Sequence, residues 1–394
     1  MNIRRATSSF IYNEHEVRYK FNDDHPFNQK RLIMTVDLLR EAGALDPASI
    51  VPLRVASDDE LLRVHHASYV EAVKELSAAG PEEAWLKTAE RYGLDTEDTP
   101  FFEGMHEVTA HIVGGSIAAA DLVMSGKVDH ALHLGGGLHH ALQNKGAGFC
   151  VYNDASAAIA HLKYRYGARV LYIDTDVHHG DGVQWSFYAD PDVCTFSIHE
   201  TGKYLFPGTG EVNERGEGVA FGSSINVPVQ PYTEDESWME CFEEVLERTI
   251  KQFRPDIIVS QHGCDAHAFD PLAHVHCSMN IYKQMPEIIH RYAHQYCNGR
   301  WVAVGGGGYD IWRVVPRAWS LLWLVMSDHP LLDRITKDPL LKLPEAWLAR
   351  YSSESPLPLP TTWLDPISEW TPMPRRDIIT QQNRQMKDLA LLYL

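Results

Sequence analysis

Four short, largely apolar runs constrain the fold of this chain more than any other feature. They span residues 131–134, 170–173, 256–260 and 301–304. Each run follows a stretch with helical periodicity, and an alternation of this kind requires crossover connections between parallel strands. Because a parallel sheet is covered by helices on both faces, its strands are apolar on both sides. We therefore predict a single-domain α/β fold in which helices flank a central, mainly parallel β-sheet.

Three segments carry the signals of helices. Residues 29–42 place apolar side chains on one face and are followed by Gly43, a residue that commonly ends a helix. Residues 109–125 form a second predicted helix, which ends at Gly126. The sequence Thr-Glu-Asp-Glu at 233–236 predicts a capping box in front of a third helix.

The length of 394 residues would by itself suggest two to three domains. No candidate linker separates the four predicted strands, so we predict one large α/β domain over residues 1–328. Nine of the 22 prolines lie within residues 329–394, together with Trp347, Trp363 and Trp370. Because a free tail rarely carries three tryptophans, we expect this C-terminal arm to pack onto the same domain.

The net charge of −18, from 53 acidic and 35 basic residues, disfavours binding to nucleic acid or to an anionic membrane surface. No run of 18 apolar residues is present, and the first ten residues lack the apolar region of a signal peptide. The six cysteines include no C-x-x-C pair. These features predict a cytoplasmic protein with reduced thiols and with no nucleic-acid or membrane partner, while the oligomeric state stays open.

Each of the four predicted strands is followed directly by a segment rich in glycine, histidine or aspartate. The segments are GGGLHH at 135–140, DTDVHHGD at 174–181, QHGCD at 261–265 and GGGGYD at 305–310. Ligands of open parallel sheets bind beyond the carboxyl ends of the strands. We therefore predict that the active site lies where these four strand ends converge.

Asp176 and His178 stand two residues apart and would point the same way on a continuing strand. Asp265 is the best-placed third ligand. One histidine and two carboxylates suit Zn²⁺ or Fe²⁺ acting on water. The alternative is that Asp176 caps the following turn and that His178 is a structural histidine.

His139 and His140 lie on a glycine-rich loop, where both side chains could face a cavity and act as bases or electrostatic groups. Asp174 and Asp181 are the carboxylates available to pair with them. The glycines at 305–308 lack the spacing of a phosphate-binding loop and instead present Tyr309, whose phenol can stabilise an oxyanion. Incidental histidines and a core tyrosine are the structural alternatives.

Other histidine pairs and one cysteine are weaker candidates. We expect surface or structural roles for His65-His66 and His274-x-His276, and helix-face positions for His106 and His111. Cys264 adjoins Asp265 but has no evident base, which disfavours a nucleophilic role.

Five motifs, taken together, resemble those of the metal-dependent histone deacetylase superfamily. They are GGGLHHA at 135–141, GFCVYND at 148–154, YIDTDVHHGDG at 172–182, LFPGTG at 205–210 and GGGGY at 305–309. The similarity extends from about Tyr12 to Asp328. Within the superfamily, the sequences HETGKYLFPGTG at 199–210 and DAHAFDP at 265–271 are most similar to the bacterial acetoin-utilisation deacetylases.

The resemblance implies the arginase/deacetylase fold and assigns roles to individual residues. Asp176, His178 and Asp265 would bind Zn²⁺. His140, oriented by Asp181, would be the general base and acid, His139 with Asp174 would be the electrostatic pair, and Tyr309 would polarise the carbonyl. The implied substrate-binding residues are Asp98 at the rim, Phe149 and Phe206 as tunnel walls, and Gly148 and Leu138. Arg31 would lie at an acetate channel. A structural K⁺ would be bound by the backbone of the 174–178 segment, at Asp174, Asp176 and His178, together with Ser197 and Ile198.

The activity implied by the resemblance is zinc-dependent hydrolysis of acetyl-lysine to lysine and acetate, with acetyl-CoA synthetase as a candidate protein partner. Two departures leave pocket width and acyl preference open. Leu138 stands where the family usually has tryptophan, and Cys264 stands where eukaryotic members have alanine. The alternatives are a deacetylase of small amines such as acetylpolyamines, a longer-chain lysine deacylase, and a binding module without turnover.

Overall fold

The computed structural model describes residues 7–78, 83–392 and 394. Its strands form one eight-stranded sheet in the order β2-β1-β3-β8-β7-β4-β5-β6, and every pair is parallel. The strands are β1 (Ser8–Ile11), β2 (Ile50–Val51), β3 (His130–His133), β4 (Val170–Asp174), β5 (Val193–Glu200), β6 (Ser224–Val229), β7 (Ile257–Gln261) and β8 (Trp301–Val304). The predicted α/β class and parallel sheet are confirmed.

Helices surround the sheet and provide the crossover connections. They are α1 (Lys30–Glu41), α2 (Asp58–Leu61), α3 (Ala67–Ala78), α4 (Glu83–Arg91), α5 (Met105–Met124), α6 (Asp154–Tyr166), α7 (Asp181–Ser186), α8 (Asp235–Phe253), α9 (Ile281–Tyr296), α10 (Val315–Met326), α11 (Pro330–Lys337), α12 (Glu345–Ser352) and α13 (Arg376–Leu392). Helix α5 is long and apolar enough to cross a membrane, but it packs against α6 and β3 and most of it is buried. Its apolar composition is therefore explained by its place in the core.

The four predicted strands correspond to β3, β4, β7 and β8, with ends that differ by at most one residue. The predicted helices correspond to α1, α5 and α8. Strand β5 is not indicated by the local sequence, although it is the longest described strand, because Thr195, Ser197 and His199 interrupt its apolar pattern. All eight of its residues are buried, so a polar residue in this strand faces protein and not solvent.

The predicted capping box at 233–236 is wrong. Helix α8 is preceded by Glu234, whose side chain makes no capping hydrogen bond. The Thr233 hydroxyl instead donates to the Gln230 carbonyl at 2.6 Å and accepts from Asn383 Nδ2 at 2.8 Å. A contact with a residue 150 positions away along the chain thus replaces the local cap.

The C-terminal segment from residue 329 contacts the rest of the chain through buried side chains. Trp347 and Trp363 are buried, and Trp347 Nε1 donates to the Met34 carbonyl at 3.0 Å. The Asp365 carboxylate accepts from Arg317 Nη1 and from the Met279 amide, each at 2.8 Å. Indole rings and a buried ion pair together attach this segment to the body of the protein.

Candidate active site

The strands β3, β8, β7 and β4 are consecutive neighbours in the sheet. Because all of them are parallel, their carboxyl ends lie along one edge, and the four polar segments that follow them meet there. The predicted convergence of the four strand ends is confirmed. The convergence depends on the order of the strands in the sheet, β3-β8-β7-β4, which differs from their order along the chain.

Asp176, His178 and Asp265 form a buried cluster. Their candidate ligand atoms lie within 4.8 Å of one another. His178 Nδ1 is 3.2 Å from Asp176 Oδ1 and 3.0 Å from Asp265 Oδ2. Burial lowers the pKa of His178, but the hydrogen bonds with Asp176 and Asp265 outweigh it and raise the pKa well above its usual value. The carboxylates of Asp176 and Asp265 thus favour positive charge at this position.

Two glycines leave the space that this cluster needs. A Cβ on Gly307 would lie 2.0 Å from Asp265 Oδ2, and a Cβ on Gly263 would lie 2.1 Å from Asp176 Oδ2. The Gly307 amide also donates to Asp176 Oδ2 at 2.7 Å. The residues present therefore fit a divalent metal, because one imidazole and two carboxylates are appropriate ligands and glycine backbone keeps their surroundings open.

Gln261, the last residue of β7, supports the cluster, a role that its sequence context does not indicate. Its Nε2 donates to Asp176 Oδ2 at 2.7 Å, and its Oε1 accepts from the Gly263 amide at 2.8 Å. It is completely buried. The available signal was its position at the strand end that leads to Asp265, but a lone glutamine there has no recognisable spacing.

His139 is paired with Asp174. The distance from His139 Nδ1 to Asp174 Oδ2 is 2.8 Å, and the Tyr172 hydroxyl donates to the same oxygen at 2.7 Å. Burial lowers the pKa of His139, but the charges of Asp174 and Asp176 outweigh it and raise the pKa to about 9. His139 therefore carries a positive charge near neutral pH.

His140 is paired with Asp181, at 2.7 Å from Nδ1 to Oδ1. Burial and the neighbouring charge of His139 lower the pKa of His140 to about 4, against the opposing effect of Asp181. The ring centroids of the two histidines are 4.0 Å apart. Two adjacent histidines thus have opposite protonation states, and His140 is the neutral one that can accept a proton.

Tyr309 packs against Phe149, with 5.6 Å between ring centroids, and its ring centroid lies 6.5 Å from that of His178. Its amide donates to Asp270 Oδ2 at 2.8 Å, which anchors the backbone of the glycine loop. Burial and the nearby carboxylates of Asp265 and Asp176 raise the pKa of Tyr309 well above its usual value. The phenol therefore stays protonated and able to donate.

Phe206 and Gly148 lie beside His140 at the mouth of the site. The Phe206 ring is 4.9 Å from the His140 ring and about half exposed. A Cβ on Gly148 would lie 2.5 Å from the His140 ring and 2.8 Å from the Phe206 ring. Gly148 also has a φ of +50°, which glycine adopts readily. Glycine at this position is therefore required by both space and backbone conformation.

Asp98 lies on an exposed loop next to Phe149. The Asp98 carbonyl is 3.2 Å from His25 Nε2, and the His25 ring packs on Phe149 at 4.7 Å. The Phe149 amide donates to Thr99 Oγ1 at 3.1 Å. Leu138 is buried in the same hydrophobic cluster against which Phe149 packs.

Arg31 is buried below the glycine loop. Its Nη1 donates to the Gly308 carbonyl at 3.0 Å, and its Nε donates to Gln29 Oε1 at 3.4 Å. The guanidinium also lies over the rings of Phe27 and Trp319, at 4.4 and 4.9 Å. The two hydrogen-bond acceptors of Arg31, Gln29 Oε1 and the Gly308 carbonyl, are neutral. The positive charge of Arg31 is therefore available to an anion.

Ser197 and Ile198 lie on β5, beside the end of β4. Ser197 pairs with Asp174 in the parallel ladder, and the Ser197 hydroxyl is 2.7 Å from His199 Nδ1. Both residues are buried. The five residues predicted to hold K⁺ are therefore on two adjacent strands and the loop that follows one of them.

The histidines that the sequence marked as weaker candidates have other surroundings. The Asn153 amide donates to His65 Nε2 at 3.0 Å, which gives His65 a structural role, while His106 and His111 lie on α5 as predicted. Cys264 is close to the cluster but buried, and burial raises the pKa of its thiol well above the usual value. A protonated thiol of this kind is a poor nucleophile.

The histone deacetylase domain family matches residues 25–326 of this chain. Several relatives from Bacillus and Staphylococcus are named acetoin utilization protein AcuC. The protein of Bacillus subtilis (strain 168) is 50% identical over 98% of this chain and 96% of its own length. Those of Staphylococcus aureus (strain MSSA476) and Staphylococcus xylosus are 45% and 43% identical, over 97% and 99% of this chain and 95% and 99% of their own lengths.

Two solved structures have the same fold. A histone deacetylase homologue complexed with SAHA has a TM-score of 0.82 and 26% identity, over 97% of this chain and 100% of its own. A homologue from Aquifex aeolicus has a TM-score of 0.82 and 24% identity over the same shares. The match to the family and the near-complete coverage of the relatives agree with the site geometry. The chain therefore belongs to the histone deacetylase family, in its acetoin-utilisation branch, and is a deacetylase.

Proposed function

We propose that this deacetylase removes the acetyl group from the side-chain amine of lysine in proteins and releases acetate. The observation that carries the proposal is the pairing of a neutral His140 with Asp181 beside the cluster of Asp176, His178 and Asp265. This arrangement provides a base next to a metal-binding centre. Family membership supports the same chemistry.

Asp176, His178 and Asp265 would hold the metal, which we propose to be Zn²⁺, with Fe²⁺ as the alternative for the same ligands. When bound there, the metal supplies Lewis acidity toward the amide carbonyl and water. Gln261 and the Gly307 amide keep Asp176 oriented through hydrogen bonds to one of its oxygens. The protein thus arranges the ligands before a metal arrives.

His140 takes the proton from the attacking water, because its pKa of about 4 leaves it neutral at physiological pH. His139, whose ring centroid is 4.0 Å from that of His140, remains cationic. Its charge stabilises the negative charge that develops in the transition state. The protonated His140 then delivers its proton to the leaving amine. Asp181 and Asp174 fix the orientation of the two rings.

Tyr309 donates a hydrogen bond from its phenol to the oxyanion of the tetrahedral intermediate, and its raised pKa keeps the phenol protonated. Phe149 and Phe206 line the passage for the aliphatic stem of lysine. We infer that Gly148 keeps this passage open and that Leu138 backs the wall at Phe149. Asp98, which is exposed next to Phe149, would accept hydrogen bonds from the backbone amides of a bound peptide.

Arg31 is proposed to receive the acetate product, since a buried guanidinium bonded to neutral oxygens favours an anion. A structural K⁺ is proposed on the backbone of the segment with Asp174, Asp176 and His178, together with Ser197 and Ile198, while the side chains of Asp176 and His178 face the catalytic metal. The K⁺ would stiffen the end of β4, from which the metal ligands extend. Removal of K⁺ should then reduce activity without removal of the catalytic metal.

The proposed partner is an acetylated protein, with acetyl-CoA synthetase as the candidate that fits acetoin and acetate metabolism, and the proposed location is the cytoplasm. The net charge of −18 favours lysine-rich surroundings of the acetyl-lysine. Phe206 is exposed beside His140 and offers an apolar surface to a protein. A rim of this kind is less suited to enclosing a small free amine.

The experiment is a substrate panel on enzyme reconstituted separately with Zn²⁺ and with Fe²⁺. It compares acetylated acetyl-CoA synthetase, an acetyl-lysine peptide, the matching longer-chain acyl-lysine peptide and acetylspermidine. We expect kcat/KM to be highest on the acetyl-lysine substrates with at least one metal. Faster turnover of acetylspermidine would overturn the protein-lysine proposal, and faster turnover of the longer acyl chain would overturn the acetyl preference.

A further inference from the structure

A second group of histidines lies at the edge of the sheet opposite the active site. His130 is the first residue of β3, whereas His139 and His140 follow the carboxyl end of that strand. His290 and His294 stand one turn apart on α9, so both side chains lie on the same helix face. The helix and the start of the strand bring these three imidazoles together.

The three rings are arranged around a common point. Their centroids are 4.6 to 5.1 Å apart, and the interplanar angles are 70° to 86°. One candidate ligand nitrogen from each ring lies within 4.8 Å of the other two. His290 Nε2 and His294 Nε2 are 3.1 Å apart. Tetrahedral zinc with bonds of about 2.0–2.1 Å places its nitrogen ligands at a similar separation, about 3.3 Å.

His130 has a lone pair that no described group satisfies. Its Nδ1 is 2.8 Å from the Met326 carbonyl, and since a carbonyl can only accept, this nitrogen must carry the proton. Nε2 of the neutral ring is then an acceptor. It is buried without a hydrogen-bond partner among the described residues, and the residue has 0% exposure. Metal-binding histidines in proteins are commonly held in this way, with the second nitrogen donating to a carbonyl.

The surroundings leave access for an ion. His290 is partly exposed and His294 is exposed, so the group is open to solvent on one side. The Asp328 carboxylate is 4.0 Å from His290 Nε2. A fourth ligand can therefore be water or this carboxylate.

We propose that His130, His290 and His294 form a second metal site, selective for a divalent transition ion of the Zn²⁺ class. Three neutral imidazoles suit Zn²⁺, Co²⁺ or Ni²⁺ far better than Mg²⁺ or Ca²⁺. The ion would tie α9 to the start of β3 and, through the Met326 carbonyl, to the end of α10. Its role would be structural, since the site lies at the amino end of β3 and the catalytic residues follow the carboxyl ends of the strands.

The test measures metal stoichiometry on the full chain after removal of metal and equilibrium dialysis against Zn²⁺. We expect two equivalents in the wild-type protein. The double variant His290→Ala/His294→Ala should bind one equivalent and keep its deacetylase activity. Asp176→Asn should also bind one equivalent but lose activity. His66→Ala, which removes an exposed histidine elsewhere, is the matched control and should bind two.

A second readout uses the Asp176→Asn background, in which the His130 site is the one expected to remain. Co²⁺ should then give the visible absorption of a tetrahedral nitrogen site, and Zn²⁺ should raise Tm. Both effects should disappear when His294→Ala is added. The proposal would be overturned if the wild-type protein bound one equivalent of Zn²⁺, or if His290→Ala/His294→Ala still bound two. The three histidines would then only pack against one another and against Trp301. Neither result would affect the catalytic proposal, which is tested by Asp176→Asn and by deacetylase activity.

Discussion

Gln261 Nε2 donates to Asp176 Oδ2 across 2.7 Å, in the interior of the protein. The same oxygen accepts from the Gly307 amide, so two donors orient the carboxylate before a metal binds. Groups that orient a metal ligand usually change metal affinity by about 10–100-fold when they are removed. This contact makes Gln261 a positioning residue for the catalytic metal.

The first prediction concerns Gln261→Leu, which keeps the side-chain volume but removes the donor. We expect the affinity for Zn²⁺ to fall by about 10–100-fold, because Asp176 Oδ2 loses one of its two hydrogen bonds. Competition with a chelator measures the change. Gln252→Leu, at an exposed position on α8, is the control and should leave affinity unchanged. An unaltered affinity in Gln261→Leu would remove its positioning role.

The second prediction concerns Tyr309→Phe, which removes one hydroxyl from the site. An oxyanion donor contributes about 3–4 kcal/mol to the transition state, so kcat should fall by roughly 10²–10³-fold. The metal content should stay that of the wild-type protein, since Tyr309 is outside the ligand cluster. Near-normal turnover at equal metal content would contradict the assignment of the phenol as a donor.

The third prediction compares His140→Ala with Asp181→Asn. Loss of the base should reduce kcat by roughly 10²–10⁴-fold, since general acid–base catalysis contributes about that much. Asp181→Asn should reduce kcat by a smaller factor, because His140 keeps its position in the loop but loses the charged partner at 2.7 Å. Steady-state kinetics at pH 7 gives both values. An equal or larger loss in Asp181→Asn would mean that the carboxylate, and not the imidazole, is the more important group.

The fourth prediction concerns the stability provided by Asp365. Burial tends to raise the pKa of this carboxyl, but His267 and Arg317 outweigh it and hold the pKa well below its usual range. Breaking a buried ion pair by removal of one partner typically costs about 3–5 kcal/mol. The free energy of unfolding of Asp365→Asn, measured in urea at pH 7, should fall by about that amount. Asp377→Asn, exposed on α13, is the control.

The sign of the pH dependence follows from the lowered pKa of Asp365. The stabilisation is complete above the pKa of the unfolded state, about 3.9, and is lost as the pH falls through the folded-state value. The difference between wild-type protein and Asp365→Asn should therefore be constant from pH 7 to 5 and shrink below pH 4. A difference that stays constant down to pH 3 would show that the charge of Asp365 is not its source.

The features predicted from sequence were those carried by local patterns. The apolar runs at β4 and β8 and the periodicity of α1 and α5 are short-range signals, and the structure confirms these elements. The polar strand β5 and the false capping box at Thr233 show the limit of such signals. In both cases a partner far along the chain, and not the local pattern, decides the conformation.

The sequence by itself determined the chemistry available at the strand ends, because residue types and spacing identify a histidine, two carboxylates and a phenol. The tertiary structure decided which of them meet, since that depends on the order β3-β8-β7-β4 across the sheet. It also decided the opposite protonation states of His139 and His140, which arise from burial and from neighbouring charges. His290 and His294 have the spacing of one helical turn in the sequence, but only the tertiary structure brings His130, from the start of β3, to them.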